Sequence, residues 1–252
     1  MAESERVLSR LVRTPERLHA VLLSPGRWDA LRDMLGGLGG RIPVYVADLE
    51  IMCDIAGFHV HRGVLATGIR PTIEELSPEV ALAPLKRPGP LTILVCEGIT
   101  NVDNIGGLFR NAAAFGVDGV LLDPACCDPL YRKAVRVSAG HVLSTPWAVA
   151  VDWPADLRRL REEWNVDLVA AETGAGATPW WSRPAPARQA ILLGSEARGV
   201  SAGALAECDA VCEIPMSEGV PSMNVATTSA VFLAERARRR AEPAGSVGAI
   251  GA

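Results

Sequence analysis

Side chains able to bind and orient a substrate gather in three short segments of this chain, each after an apolar stretch and before a helical pattern. We refer to residues 101–110, 193–201 and 213–230 as the first, second and third polar segments. They contain Asn104 and Arg110, then Glu196, then Ser222 and Asn224. A guanidinium stays protonated at neutral pH, which makes it a poor base but a good stabiliser of developing negative charge. The amides, the hydroxyl and the carboxylate would orient it and hold a ligand nearby.

Each segment has a simpler explanation when it is considered alone. Asn224 or Ser222 is a suitable N-cap for the helix that follows, and Glu196 is an acid of the kind found at helix starts. The first segment lies where a phosphate-binding turn would lie, but it lacks both the G-x-G-x-x-G and the G-x-x-x-x-G-K patterns. The occurrence of three such segments in one chain favours a common site over three independent caps.

The apolar periodicity predicts the elements that would bring these segments together. Continuous apolar runs predict buried strands, and helical spacing predicts helices between them. The predicted strands are Leu91–Cys96 and residues 117–122, 147–151, 166–170 and 189–193, and the predicted helices are residues 105–115 and 154–164. This alternation predicts an α/β fold with a parallel sheet and helices on both faces. Ligands bind such sheets outside the carboxyl ends of the strands, where all three polar segments fall.

The chain divides by pattern into four stretches. Residues 1–83 alternate short helical and extended patterns and predict a small α/β domain. Residues 84–90 are rich in proline and predict a linker, residues 91–240 predict the large domain, and residues 241–252 predict a disordered tail. In the small domain, the spacing of His59 and His61 predicts a strand with both imidazoles on one side, but no third metal ligand is evident.

The composition is that of a soluble globular protein with a substantial core, since 49% of the 252 residues are apolar and 21% are charged. No run approaches the ~18 to 20 apolar residues of a membrane span, and the N-terminus is unlike a signal peptide, so we expect a cytoplasmic protein without membrane association. The six cysteines have no Cys-x-x-Cys spacing and predict reduced thiols. No set of His, Cys, Asp and Glu has ligand spacing, which predicts that no metal is bound.

The charge distribution bears on nucleic-acid binding. A net charge of −4 argues weakly against a polyanionic partner, because phosphates are held chiefly by Lys and Arg. Basic residues are nevertheless clustered at Arg132, Lys133 and Arg136, at Arg158, Arg159 and Arg161, and at Arg236, Arg238, Arg239 and Arg240. A solvated helix face explains each cluster alone, while the clusters together are compatible with RNA binding.

Taken together, the three polar segments resemble the ordered motifs of the SpoU/TrmH family of RNA ribose 2′-O-methyltransferases, within the SPOUT class. The matching residues are Asn104, Gly106 and Arg110 in the first motif, Gly194, Glu196, Gly199 and Ser201 in the second, and Ile214, Pro215, Met216, Gly219, Ser222 and Asn224 in the third. The resemblance covers residues 91–240. It is fainter upstream, where His61, Arg62 and Gly63 resemble the close of the family's small substrate-binding domain.

This resemblance implies a C-terminal SPOUT domain whose parallel sheet is flanked by helices and whose chain forms a deep trefoil knot. A small α/β RNA substrate-binding domain, trimmed at its N-terminus, would precede it. The resemblance further implies a homodimer with its sites near the interface, and S-adenosylmethionine-dependent methylation of a ribose 2′-hydroxyl in structured RNA, with ribosomal RNA favoured over transfer RNA. Sequence patterns alone show neither the knot nor the dimer.

The resemblance also implies roles for individual residues. Arg110 would stabilise the emerging alkoxide, with a substrate phosphate or water taking the proton, and Glu196 would orient Arg110 or contact the cofactor loop. Asn104 and Asn224 would fix the arginine and the ribose, and Ser222 would donate a hydrogen bond close by. The cofactor would be held near Leu193, Gly194, Ile214, Met216, Ser222 and Met223. The RNA would be bound by His61, Arg62, Arg132, Lys133 and Arg136.

Two other functional classes compete with this prediction. An RNA-binding module that lacks turnover would have the same fold, but the complete set Arg110, Glu196, Ser222 and Asn224 argues against it. A dinucleotide-binding oxidoreductase is disfavoured because the glycine fingerprint and its acidic ribose partner are absent from the sequence.

Overall fold

The N-terminal part of the chain forms a four-stranded mixed sheet with helices. A computed structural model describes residues 1–174 and 176–241. The elements are β1 (Ala2–Glu3), α1 (Glu5–Leu11), β2 (Leu18–Leu23), α2 (Pro25–Gly36), β3 (Val44–Val46), α3 (Leu49–Ala56) and β4 (Val64–Gly68). The strand order is β1-β4-β2-β3, with β4 antiparallel to both of its neighbours and β3 parallel to β2.

Helix α1 illustrates why these residues form their elements. The Ser4 hydroxyl accepts a hydrogen bond from the Val7 backbone N–H, which caps the helix, and Glu5 lies at its positive end. Val7, Leu8 and Leu11 recur at helical spacing and are all buried. This apolar face packs helix α1 onto the core.

The segment that joins the two sheets packs against the second sheet. It contains α4 (Pro78–Ala81) and a 3₁₀ turn at Ala83–Leu85. Leu82 and Leu85 are buried in the core of the second sheet, where a Cβ at Gly119 would lie 2.6 Å from Leu85 and 3.1 Å from Leu82. The start of the predicted linker therefore packs against the large domain.

The second sheet has seven strands, and every paired neighbour is parallel. Its elements are β5 (Leu91–Cys96), α5 (Val102–Ala114), β6 (Gly119–Leu122), α6 (Arg132–Val137), β7 (Trp147–Val149), α7 (Ala155–Trp164), β8 (Asp167–Ala171), β9 (Thr178–Pro179), β10 (Arg188–Leu193), α8 (Ala202–Ala206), β11 (Ala210–Glu213) and α9 (Val225–Ala241). The strand order is β7-β6-β5-β10-β8-β11-β9. The predicted α/β fold with a parallel sheet is confirmed.

Two apolar cores cover the two faces of this sheet. One contains Leu157, Leu160 and Trp164 of α7, and the other contains Phe109 of α5 and Phe232 of α9. All six residues of β5 are buried, as expected for a central strand covered on both faces. The sheet therefore presents its strand ends, rather than its faces, to ligands.

The core that contains α5 and α9 continues into the small domain through α1. Val7 lies so close to Gly140 that a Cβ there would be 3.2 Å from the Val7 Cα. Arg10 donates hydrogen bonds to the Ala139 carbonyl at 3.0 Å and to His141 Nε2 at 2.8 Å. Burial, followed by the positive charge of Arg10, lowers the pKa of His141, which favours the neutral imidazole that accepts this bond. The small domain is thus held against the large one by apolar and polar contacts.

Two expectations about local structure are corrected. His59 and His61 lie in a loop, not in a strand, because Gly57 ends α3 in the left-handed conformation and Val60 turns into the core. Their rings still lie side by side, with centroids 4.3 Å apart. Ala241 is the last residue of α9 rather than the start of the predicted tail, and residues 242–252 lie outside the described residues.

No helix of the described residues is long and apolar enough to cross a membrane.

Candidate active site

The strand order brings the three polar segments to one edge of the large sheet. They follow β5, β10 and β11, of which β5 and β10 are direct neighbours and β11 is separated from β10 only by β8. Parallel strands end at the same edge, so residues far apart in sequence converge there. The predicted convergence of the three segments is confirmed.

A hydrogen-bonded network of three side chains, Asn104, Glu196 and Asn224, joins the segments. Asn104 is buried in the first turn of α5, and its Nδ2 donates to Glu196 Oε1. Its Oδ1 accepts a hydrogen bond from Asn224 Nδ2 at 2.9 Å. Because both the Nδ2 and the Oδ1 of Asn104 are hydrogen-bonded, the orientation of its amide is determined. Each polar segment supplies one member of the network.

Asn224 has two structural tasks in this arrangement. Its Oδ1 accepts from the backbone N–H groups of Ala226 at 2.9 Å and Thr227 at 3.2 Å, so it is the N-cap of α9. Its Nδ2 is then directed at Asn104. The capping explanation for Asn224 is confirmed, and capping places the other end of the amide in the site.

The second polar segment is held on one side by Glu97, a residue that the sequence reasoning missed. This buried carboxylate accepts from the Ser201 hydroxyl at 2.6 Å, the Ser201 backbone N–H at 2.9 Å and the Trp153 indole N–H at 2.9 Å. Glu97 directly follows β5, and an acid directly after a strand is the signal that could have identified it. Its hydrogen bonds attach the segment to the centre of the sheet.

Glu172 holds the same segment from the other side and was also missed. It directly follows β8, and its carboxylate accepts from the Val200 backbone N–H at 3.0 Å. Gly199 adopts a positive φ of 65°, and a Cβ at this position would collide with the Glu172 carboxylate. The glycine therefore allows both the turn and the close approach of Glu172.

The second and third polar segments surround a cavity of about 250 Å³, which we call the loop cavity. Of the predicted cofactor residues, Gly194, Ile214, Met216, Ser222 and Met223 line it. Leu193 does not, because it is the buried last residue of β10 and its carbonyl accepts from the Glu97 backbone N–H at 2.8 Å. Carboxylates and apolar side chains share the remaining wall, with Glu172, Glu196, Glu213, Val225 and Phe232 among them.

Arg110 lies apart from the Asn104 network. It is exposed and has no hydrogen bond or salt bridge to any of the residues that the structure describes. Six residues separate it from Asn104 on α5, which turns the side chain roughly 120° around the helix and moves it about 9 Å along the axis. Because Glu196, Asn104 and Asn224 bind one another, the expectation that they fix or orient Arg110 is wrong for this single chain. The other expected roles, contact of Glu196 with the cofactor loop and binding of the ribose by the asparagines, remain predictions.

Arg110 instead lines a large cleft between the two domains, with a volume of about 1080 Å³, which we call the interdomain cleft. His61, Arg62 and Arg136, all predicted to bind RNA, line the same cleft and are exposed. Arg6 and Arg27 also line it, and sequence reasoning missed both because neither lies in a cluster of basic residues. Glu3 and Glu5 line it as well, so the wall is basic on balance.

The other two predicted RNA-binding residues are engaged within the chain. Arg132 donates to Glu3 at 2.8 Å, and its guanidinium carbon lies 3.9 Å from the centroid of the Phe58 ring. Lys133 Nζ lies 2.6 Å from the Asp103 carboxylate. Arg132 therefore fastens the two domains together, and Lys133 pairs with the first turn of α5.

The remaining basic clusters are structural. Arg158, Arg159 and Arg161 each pair with an acidic side chain, as expected of a solvated helix face. Arg236 is almost fully buried and donates to the Ala187 carbonyl at 3.1 Å. Burial, followed by repulsion from its basic neighbours on α9, lowers the pKa of Arg236 to about 10. Neither cluster contributes to the interdomain cleft.

Metal binding has no support among the residues that the structure describes, since no group of three or more His, Cys, Asp and Glu side chains is placed to hold an ion. All six cysteines are free thiols. Burial raises the pKa of the Cys96 and Cys126 thiols, which disfavours the thiolate.

A cavity at the strand ends of the parallel sheet and a basic cleft beside it occur in a chain whose relatives are named as RNA methyltransferases, so the protein is an RNA methyltransferase. Residues 91–234 match the SpoU rRNA Methylase family, and the chain belongs to that family. An uncharacterised tRNA/rRNA methyltransferase of Mycobacterium tuberculosis is 39% identical over 241 residues, which is 94% of this chain and 80% of the relative. The 23S rRNA (guanosine-2′-O-)-methyltransferase RlmB of Escherichia coli K12 is 28% identical over 238 residues, covering 93% of this chain and 96% of RlmB.

Solved structures support the same fold. The SpoU methyltransferase AviRb from Streptomyces viridochromogenes, in complex with the cofactor AdoMet, superposes with a TM-score of 0.77 at 20% identity, covering 93% of this chain and 88% of AviRb. An rRNA methyltransferase from Sinorhizobium meliloti superposes with a TM-score of 0.74, also at 20% identity, over 95% of this chain and 86% of that one. At these identities the likeness establishes the fold.

The double role of Asn224 leads to a test of its capping contribution. The free energy of unfolding of Asn224→Ala should be about 1 kcal/mol lower than that of Asn224→Ser, because only the serine hydroxyl can still cap α9. Both variants lose the hydrogen bond to Asn104. Urea denaturation followed by circular dichroism measures the difference, and equal stabilities for the two variants would show that the cap contributes nothing.

Proposed function

We propose that this protein transfers a methyl group from S-adenosylmethionine to a ribose 2′-hydroxyl of structured RNA, with ribosomal RNA favoured over transfer RNA. The observation that carries the proposal is the Asn104–Glu196–Asn224 network, which connects the wall of the loop cavity to the helix that bears Arg110. The activity for which RlmB is named, guanosine 2′-O-methylation of 23S rRNA, supports both the reaction and the RNA class.

The loop cavity suits S-adenosylmethionine in its chemistry. Ile214, Met216 and Met223 offer apolar surface for a purine ring, and the turn at Gly194 and Gly199 brings backbone groups to the wall. The carboxylates around the cavity suit a ligand with positive charge and hydroxyl groups. When bound, the cofactor would supply a methyl group on a sulfonium, which is already a good electrophile. The protein then has to place the acceptor oxygen and stabilise its charge.

In this reaction the ribose 2′-oxygen forms a bond to the methyl carbon as the carbon–sulfur bond breaks, with the electron pair left on sulfur and the hydroxyl proton lost. We assign Arg110 to stabilise the negative charge that develops on the oxygen, because a guanidinium is a donor rather than a base. A phosphate of the RNA or a water molecule takes the proton. The Asn104 network keeps the start of α5 in place and so fixes the helix that carries Arg110.

The interdomain cleft is where we place the RNA. Its basic residues come from both domains, with Arg62 from the small one and Arg110 and Arg136 from the large one. Arginine binds phosphates with paired donors, and exposed guanidiniums can do so without first breaking an ion pair. A splayed nucleotide of a loop or bulge would fit a cleft better than a base-paired one, because only there is a 2′-hydroxyl readily singled out. Since such RNA is cytoplasmic, we propose the same location for the protein.

The function is tested by mapping methylated nucleotides. Mass spectrometry of total RNA from cells with and without this protein should show one ribose methylation that depends on it, and ribosomal RNA should carry it. Restoration by the wild-type chain but not by Arg110→Ala would tie the mark to this site. If no methylation depends on the protein although it still binds RNA, the chain is an RNA-binding module without turnover.

We also propose that the chain is knotted. The third polar segment leaves β11, which is separated from β5 by β8 and β10, and leads into α9, which packs against α5 after β5. The chain must therefore return across the ends of β8 and β10, past the second polar segment. Threading through that segment would form the trefoil implied by the family resemblance, and an experimental trace of residues 194–225 would decide it.

A two-fold homodimer is the assembly that we predict. Ala230 and Ala234 lie at half-buried positions of α9, and Val231 is exposed beside them, which suits the close approach of another helix. Ala226 is not available to a partner because its Cβ faces Gly107 of α5 in the same chain. Leu233 is not available to a partner because it is buried in the core. Arg110, which no described residue binds, would lie near such an interface. Light scattering at micromolar concentration should give twice the chain mass of 26.7 kDa, and a monomer would contradict this prediction.

The role of Arg110 is tested by two substitutions. Arg110→Ala should lose roughly 2.7 to 4 kcal/mol of transition-state stabilisation, while Arg110→Lys should retain part of the activity as a point charge in the wrong geometry. Cofactor affinity and melting temperature should stay near the wild-type values, because Arg110 has no partner among the described residues. The measurement is methyl transfer at saturating cofactor. A folded, cofactor-binding Arg110→Ala that methylates at the parent rate would end this assignment.

A further inference from the structure

The wall of the loop cavity carries an unbalanced negative charge. Glu172, Glu196 and Glu213 line it, and none of its described lining residues is Lys, Arg or His. The proposed reaction uses only Glu196, through its bond to Asn104. The other two carboxylates have no role in the reaction, although they line a cavity that we assign to a cationic cofactor.

Glu172 is the best fixed of the unassigned carboxylates. One oxygen accepts from the Thr173 backbone N–H at 3.0 Å and the other from the Val200 backbone N–H at 3.0 Å. It is half-buried, and the absence of a Cβ at Gly199 lets it approach the second polar segment closely. Glu213, by contrast, has no side-chain hydrogen bond to any described residue and is free to turn to solvent.

We propose that Glu172 makes the loop cavity selective for the positively charged cofactor over the spent one, so that loss of the methyl group weakens binding and favours product release. This inference rests on the proposed function. Transfer of the methyl group leaves its electron pair on sulfur and converts a sulfonium into a neutral thioether. The amino acid and nucleoside parts are the same in both molecules, so this one unit of charge is the main difference that the cavity can sense.

The size of the effect follows from Coulomb's law. A carboxylate within several ångströms of a unit positive charge, in a site that water partly screens, strengthens binding by about fivefold, which corresponds to ~1 kcal/mol. A neutral sulfur gains nothing from the same carboxylate. Support of the second polar segment, the simpler role for Glu172, would by contrast help both ligands equally.

The test compares three ligands by isothermal titration calorimetry on wild-type protein and Glu172→Gln. The ligands are S-adenosylmethionine, S-adenosylhomocysteine and sinefungin, in which a carbon bearing a protonated amine replaces the methylated sulfonium. Glu172→Gln should weaken the two cationic ligands about fivefold and change S-adenosylhomocysteine by less than about twofold. Glu218→Gln is the matched control, because Glu218 is exposed in the third polar segment outside the cavity wall, and it should change none of the three.

Each outcome of the titrations either supports or overturns the inference about Glu172. Equal weakening of all three ligands by Glu172→Gln would reduce Glu172 to a loop support and overturn the inference, while the proposed function would stand. Failure of wild-type protein to bind any of the three would overturn the proposed function and the inference with it. If Glu172→Gln does not fold, wild-type protein provides the test: the preference for S-adenosylmethionine over S-adenosylhomocysteine should fall as potassium chloride rises, and a constant ratio would overturn the inference.

Discussion

The arrangement of the site depends on one buried amide. Asn104 is separated by 92 residues from Glu196 and by 120 residues from Asn224, yet it hydrogen-bonds to both. A buried amide left without partners costs about 1 to 3 kcal/mol. The three polar segments are therefore stabilised in the one arrangement that gives Asn104 both of its partners. Because Asn224 also caps α9, the same arrangement fixes the start of the last helix.

Close packing around α5 supports that amide. A Cβ at Gly106 would collide with Val137, and one at Gly107 would lie 2.9 Å from the Ala226 Cβ, so both glycines let neighbouring helices approach. Asn111 fastens α5 to α9 by donating to the Ala226 carbonyl at 2.7 Å and the Ser229 hydroxyl at 2.9 Å. Helix α5 is thus rigidly placed, with Asn104 directed at the sheet edge and Arg110 at the interdomain cleft.

The two sides of α5 differ in charge. Carboxylates dominate the loop cavity, whereas arginines from both domains dominate the interdomain cleft. A net charge of −4 conceals this separation, because it sums the charges of both sides of the helix and of arginines such as Arg158, Arg159 and Arg161 that pair with acidic side chains away from the cleft. A cationic cofactor and a polyanionic substrate would therefore approach one helix from sides that suit each of them.

The sequence by itself determined the elements and the position of the site along the chain, because apolar periodicity and strand-end polar residues are local signals. The bounds of β5 agree with the prediction, and each polar segment follows a strand, as the sequence predicted. Only the tertiary structure decided which partners the polar groups take. Glu196 binds Asn104 rather than Arg110, and Glu97 and Glu172 hold the second polar segment. These pairings depend on strand order and on the rotation of α5, and neither is encoded in any single stretch of residues.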